Sequence, residues 1–149
     1  MDGTFIAFDY GEKLIGAAVG NASMGTATPL VAIANHSGTP NWPVVEALIN
    51  KWQPKALVVG VPLTLDGSEQ PSTHAARGFI KQCKRRFALS VYEADERMST
   101  MAANERIRQM RRSGQRKRKT TKADVDTLAA ALILEHWFSQ NHEQSPPQI

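Results

Sequence analysis

The sequence predicts an α/β domain in which a mixed sheet is covered by helices on both faces. Three observations carry this. Three short apolar runs near the N-terminus are joined by connections too short for a helix, which makes them antiparallel neighbours. A later run, "ALVVGVP" at 56–62, is apolar throughout, as a strand buried on both faces reads. Two later strands are each preceded by a segment of helical period, the alternation of an α/β plan.

The elements follow in order. Residues 4–9 form a strand that ends in the turn-like "DYGEK", and "LIGAAV" at 14–19 is its hairpin partner. Gly16, Ala17 and Ala18 are small for a strand, so either backbone packs closely there or a ligand approaches. A third strand lies near 27–33. Val44, Val45, Leu48, Ile49 and Trp52 then repeat with helical period until Pro54 closes the segment. After the buried strand comes a helix over about 69–86, with Ala76, Phe79, Ile80 and Cys83 inward, and a fifth strand at 87–96 whose last residues are acidic. A helix from Ser99 to Arg112 places Ala103, Ile107 and Met110 on one face. The last helix, about 123–139, sets Val125, Leu128, Ala129, Leu132, Ile133 and His136 on one face. The domain therefore spans 1–139, and the tail 140–149, with two prolines and no apolar pattern, is expected to be disordered.

Composition narrows the class. A chain of 149 residues suits one domain with a real core. No apolar run approaches the roughly 20 residues of a membrane span, and the N-terminus shows no signal-peptide pattern. Cys83 is the single cysteine, which excludes an intramolecular disulfide and a Cys-cluster zinc site and fits the reducing cytoplasm.

The charge is segregated. Arg106, Arg108, Arg111, Arg112, Arg116, Lys117, Arg118, Lys119 and Lys122 make up nine of the 18 Lys and Arg residues, with no acid among them. The rest of the chain holds nine bases against 14 acids, a balance of −5. A basic segment on an acidic body points to a polyanion partner; the plainer alternative is a solvated loop with no partner.

Three acidic clusters fall at the ends of elements. Asp9 closes the first strand, Asp95 and Glu96 close the fifth, and Asp124 and Asp126 open the last helix. Carboxylates converging without His or Cys companions make a hard, all-oxygen site suited to Mg²⁺ or Mn²⁺. Two such ions can clamp the attacking and leaving oxygens of a phosphodiester displacement. Each acid also has an ordinary reading: Asp9 as a turn former, Asp95 as a partner of Arg97, Asp124 as a helix cap. Asp124 and Asp126 lie roughly 200° apart around the helix and cannot both face one site. Asp126 shares a row with Ala129, Ala130 and Ile133, so it is the ligand candidate and Asp124 the cap. Other candidates are weaker. The four histidines form no metal spacing, and His136 reads as a core or boundary residue. Ser99 reads as an N-cap, and Trp52 and Trp137 as packing residues.

On these residues the chain resembles the YqgF/RuvX family of bacterial proteins, described as Holliday junction resolvases and as nucleases maturing the 5′ end of the small-subunit ribosomal RNA precursor. The matching stretches are "AFDYGEKLIGAAVG", "VVGVPLTLDGSEQP", "DERMST" and "DVDTLAAALILE", in order over nearly the whole chain. The resemblance implies an RNase H-like fold with a five-stranded mixed sheet flanked by helices. It implies a metal site of Asp9, the acid of "DER" and the Asp that opens "DxxAAxxIL" within the last stretch, here Asp126. Within "DER", Glu96 is favoured and Asp95 is the fallback; neighbours on a strand point to opposite faces, so the two need not share a role. The segment "RRSGQRKRKTTK" is more basic than the loop of family members, which strengthens nucleic-acid binding.

The expected function is therefore a Mg²⁺- or Mn²⁺-dependent nuclease acting on structured nucleic acid, either in 5′-end processing of 16S rRNA precursor or in Holliday junction resolution. Asp9, Glu96 and Asp126 would be catalytic. Lys13, Arg97, Arg111, Arg112, Arg116, Lys117, Arg118, Lys119 and Lys122 would contact phosphates. Two rivals remain. An actin-like phosphotransferase would use "DYGEK" and "LDGS" as phosphate loops, but 149 residues make one lobe where two are needed. A non-catalytic nucleic-acid-binding factor in ribosome assembly or transcription would need no turnover. The expected oligomeric state is a monomer or weak dimer.

Overall fold

The computed structural model describes residues 3–36, 38–63, 66–95, 105–106, 108–109 and 121–144. The elements are β1 (Thr4–Tyr10), β2 (Leu14–Asn21), β3 (Thr26–Ala34), α1 (Trp42–Trp52), β4 (Ala56–Val61), α2 (Pro71–Phe87), β5 (Ser90–Asp95) and a long helix, α3 (Lys122–Gln144). The strands make one sheet in the order β3-β2-β1-β4-β5. β1–β2 and β2–β3 are antiparallel; β1–β4 and β4–β5 are parallel. This is the mixed five-stranded sheet that the sequence predicts.

Strand alternation sorts the core into two layers. Ile6 and Phe8 of β1 pack with Val45 of α1 and with Phe79 and Cys83 of α2. Phe5 and Ala7 pack with Val58, Ala94 and the α3 residues Ile133, Leu134, Trp137 and Phe138. Each such large side chain contributes on the order of 1.5–3 kcal/mol when fully buried. β4 is buried at all six positions because helices cover it from both sides, which is why its sequence shows no alternation. The inward positions expected for α2, Ala76, Phe79, Ile80 and Cys83, are all buried.

The small residues of β2 have a structural cause. Gly16, Ala18 and Gly20 alternate on the face that α3 crosses. A β-carbon on Gly16 would overlap the backbone of Asp126, and one on Gly20 would crowd Leu134 and Phe138. Ala18 sits fully buried against Ala130 and Ala131. Helix backbone therefore rests on strand backbone. Glu135 of α3 also accepts a hydrogen bond from the Ala27 amide of β3 at 3.1 Å, fastening the helix to the edge strand.

The last helix differs from expectation in its length and at His136, while Asp124 takes part in the cap as expected. It runs on to Gln144 because no breaker follows Ser139 until Pro146; residues 145–149 lie outside the described ones. His136 is exposed, since Leu134, Trp137 and Phe138 take the sheet-facing side at this end. Asp124 acts as the third residue of a reciprocal cap. The Asp124 amide donates to Thr121 Oγ1 at 3.1 Å, and the Thr121 amide donates to Asp124 Oδ2 at 3.0 Å. The expected helix at 99–112 is represented by helical residues 105, 106, 108 and 109; Ser99, Ala103, Ile107 and Met110 lie outside the described residues.

Candidate metal and nucleic-acid site

Asp9 stands near the C-terminal end of β1, on the same face as Phe5 and Ala7, and is half-buried. That face is the one α3 covers. Asp9 pairs across the sheet with Gly16 on one side and Gly60 on the other. Because Gly16 lies directly beneath the Asp126 backbone, α3 begins beside Asp9. Two acids from opposite ends of the chain are thus brought to one corner of the sheet.

Asp126 is buried, with 6% of the residue's surface exposed. Its Oδ1 accepts a hydrogen bond from Lys122 Nζ at 2.6 Å, an i, i+4 ion pair along the first turn. Its Oδ2 is buried and has no hydrogen-bond partner among the described residues. A buried anionic oxygen left without a partner costs free energy unless a cation meets it. The Lys122 ammonium, itself largely exposed, satisfies only one of the two oxygens. Hard oxygen donors with one oxygen unused fit a divalent ion of the Mg²⁺ or Mn²⁺ class.

Asp95 ends β5 on the other face. Ala94 lies on the α3 side, while Val91 lies on the α1/α2 side with Glu93, which pairs with Arg77 of α2 at 3.4 Å. Alternation places Asp95 with Val91 and Glu93, away from Asp9. Among the described residues no three metal-ligating side chains come together. Glu96 lies outside them, as do Arg97, Arg111, Arg112, Arg116, Lys117, Arg118 and Lys119. The described members of the basic segment each meet a carboxylate. Arg106 lies 3.8 Å from Glu135, Arg108 lies 2.9 Å from Glu105, and Lys122 is held by Asp126.

Lys13 is exposed in the turn between β1 and β2. Sequence reasoning missed the residue that secures this turn. Asn35, 2% exposed, donates its side-chain amide to the Gly11 carbonyl at 2.7 Å, and its backbone amide donates to the Lys13 carbonyl at 2.9 Å. The segment that follows Asp9 is thereby pinned at two points. No local pattern marks Asn35, because its partners lie more than twenty residues away. A cavity of about 680 Å³ opens on the α2 side, lined by Tyr10, Glu12, Pro62, Ser72 and Ala75. Neither Asp9 nor Asp126 is among its lining residues.

Comparison with known proteins agrees with this architecture. Residues 3–140 match the family model described as "RuvX: Holliday junction resolvase". Proteins of Salmonella typhimurium (strain LT2) and Escherichia coli (strain K12), each named "Putative pre-16S rRNA nuclease", are 44% identical over 142 residues. The alignments cover 95% of this chain and the whole of each relative. Among solved structures, Thermus thermophilus RuvC in complex with a Holliday junction substrate matches at a TM-score of 0.57 and 18% identity, over 97% of this chain and 99% of that one. Thermus thermophilus RuvC without that description matches at 0.54 and 17%, with the same coverage. These two likenesses concern the fold, which is RNase H-like.

Proposed function

The chain belongs to the RuvX family, and from that membership we propose that it is a divalent-metal-dependent nuclease that hydrolyses phosphodiester bonds in the 5′ leader of the 16S rRNA precursor. The observation that carries the metal reading is the buried Oδ2 of Asp126, without a partner among the described residues, at the corner shared with Asp9. The RNA reading rests on the names and full-length coverage of the 44%-identical relatives. The cytoplasm, where that RNA is made, is the proposed location. In the described residues no helix is long and apolar enough to cross a membrane.

Asp9, Glu96 and Asp126 are the proposed ligands. Glu96 is the acid of its pair assigned to the site; alternation putting Asp95 on the face of Val91 and Glu93 supports that choice. A Mg²⁺ or Mn²⁺ ion bound there would supply Lewis acidity to the reacting phosphate. The protein's part is to hold anionic oxygens at fixed positions on a rigid sheet and helix. Asn35 keeps the turn after Asp9 in place. Lys122 neutralises one oxygen of Asp126 and has the exposed length to turn toward a phosphate. Lys13, Arg97 and the basic run Arg111, Arg112 and Arg116–Lys119 are proposed to grip the backbone without reading sequence.

The test is cleavage of 5′-extended 16S precursor RNA and of a four-way DNA junction, side by side, with Mg²⁺, Mn²⁺ or EDTA. Metal-dependent cleavage of the RNA supports the proposal. Cleavage of the junction alone would move the substrate to branched DNA, and cleavage undiminished in EDTA would overturn the metal site.

A further inference from the structure

α2 carries His74, Arg77, Lys81, Lys84, Arg85 and Arg86 over its 17 residues and no acid at all. Outside the basic segment near the C-terminus, the chain has nine Lys and Arg residues, and five of them lie on this one helix. That concentration sits on a body otherwise dominated by acids. The helix buries Thr73, Ala76, Phe79, Ile80 and Cys83 against the sheet, and Lys81, Lys84, Arg85 and Arg86 are exposed on the outside.

Acids from elsewhere meet only one end of the row. Arg77 is held by Glu69 at 2.9 Å and Glu93 at 3.4 Å. Beyond it, Lys81, Lys84, Arg85 and Arg86 make no ion pair with any described residue. Arg86 instead lies over the Trp42 ring, 4.1 Å from its centre, which fixes a guanidinium in place without neutralising it. The helix dipole accounts for cations in the last turn. It does not account for Lys81, nor for the absence of acids in the first turn, where the same dipole would favour them.

The position of the cluster matters as much as its charge. α2 starts just after β4, where the Thr73 hydroxyl donates to the Pro62 carbonyl, and ends just before β5, whose Ser90 pairs with Ala56. Lys84–Arg86 therefore lie at the N-terminal ends of the parallel strands, while Asp9 lies at the C-terminal end of β1. The six residues of β4 separate the two ends by about 20 Å at 3.3 Å per residue.

Resting on the nuclease reading, we infer that the Lys81–Arg86 face of α2 binds the phosphate backbone of a double-helical RNA arm of the substrate, on the other face of the sheet and at least about 20 Å from the bond that is cut. Unpaired cations at i, i+3 and i+4 match a polyanion, and a double helix presents phosphates at regular spacing whatever its sequence. The contact sets where the arm lies; it does not touch the reacting atoms.

The test uses the full chain with Lys81→Gln, Lys84→Gln and Arg85→Gln combined. Arg86 is left alone because it packs on Trp42. Binding is measured in EDTA, so that cleavage plays no part, against an RNA duplex with a single-stranded extension and against the extension alone, over a salt series. We expect the variant to melt at the wild-type temperature and its log-affinity–log-salt slope for the duplex to fall by about two to three units. Affinity for the extension alone should stay at the wild-type value. An unchanged duplex slope overturns the inference, as does an equal loss on both RNAs. A loss seen with four-way DNA but not with the RNA duplex overturns the assignment to RNA. Because no step requires turnover, a protein that binds as described yet cleaves nothing would count against the nuclease reading and not against this surface.

Discussion

The backbone carbonyl of Asp126 lies directly over Gly16, so close that a single added β-carbon would overlap it. The contact is backbone on backbone, and neither partner is a flexible side chain that can swing aside. Gly16→Ala must therefore push the start of α3 away from β2. Overpacking of this kind costs on the order of 1–3 kcal/mol, which thermal melting would register. We expect cleavage to fall further than the stability loss explains, because Asp126 moves relative to Asp9. Full activity in a variant that melts early would show that the contact supports only the fold.

Asp9→Asn and Asp126→Asn each remove a charge from the proposed metal site. Without a divalent ion, both variants should melt close to the wild type, since repulsion or charge burial is relieved. Mn²⁺ should raise the melting temperature of the wild type, by about 2.7 kcal/mol of added stability at 100 times Kd, and raise neither variant. Cleavage should drop by roughly a hundredfold or more, the equivalent of several kcal/mol at the transition state. Equal stabilisation of all three proteins by Mn²⁺ would place the ion elsewhere.

Replacing Arg116, Lys117, Arg118 and Lys119 with Gln tests the basic segment. If all four meet phosphates, the slope of log affinity against log salt shrinks by about three to four units, and alike for different sequences. The melting temperature should not change, because the run has no apolar pattern. An unaltered slope would leave it as a solvated loop.

Cys83 gives a pH-dependent prediction. It is fully buried against the α2 side of the sheet, and burial pushes its thiol up from 9.0 to about 12, with Arg86 pulling slightly the other way. The folded state thus keeps a proton that the unfolded state releases near pH 9, so stability from this group is whole below that pH and is lost as pH rises toward 12. Denaturant titrations at pH 8, 9, 10 and 11 should show the decline, and Cys83→Ala should flatten it. Native protein should also resist thiol alkylation at pH 8. Rapid labelling without unfolding would contradict the burial.

Much of this architecture is legible in the residues. The turn after Asp9, the all-apolar β4 and the helical rows of α2 give the sheet and one of its layers. The row Asp126, Ala129, Ala130, Ile133 places Asp126 inward, where the structure has it. The exposure of His136 is not legible in the same way. α3 is apolar around most of its circumference: Val125, Leu128 and Leu132 gather on one side while Ile133, Trp137 and Phe138 take the sheet. Periodicity alone cannot choose between two apolar sides. The ion pair of Lys122 with Asp126 does have a sequence signal, the i, i+4 spacing, but the surrounding positive charge drew Lys122 into the basic segment instead. The role of Asn35 is set wholly by tertiary contact.

The corner that joins Asp9 to Asp126 also has a history in time. Asp9 precedes Asp126 by more than a hundred residues, so a growing chain holds the first long before the second exists. Until α3 leaves the ribosome, Phe5, Ala7, Val58 and Ala94 have no cover and the corner has only part of its charge. At about 5–20 residues per second, synthesis keeps the nascent protein in that state for seconds. A nuclease whose proposed substrate is part of the translation machinery would thus have this corner completed only once α3 is made.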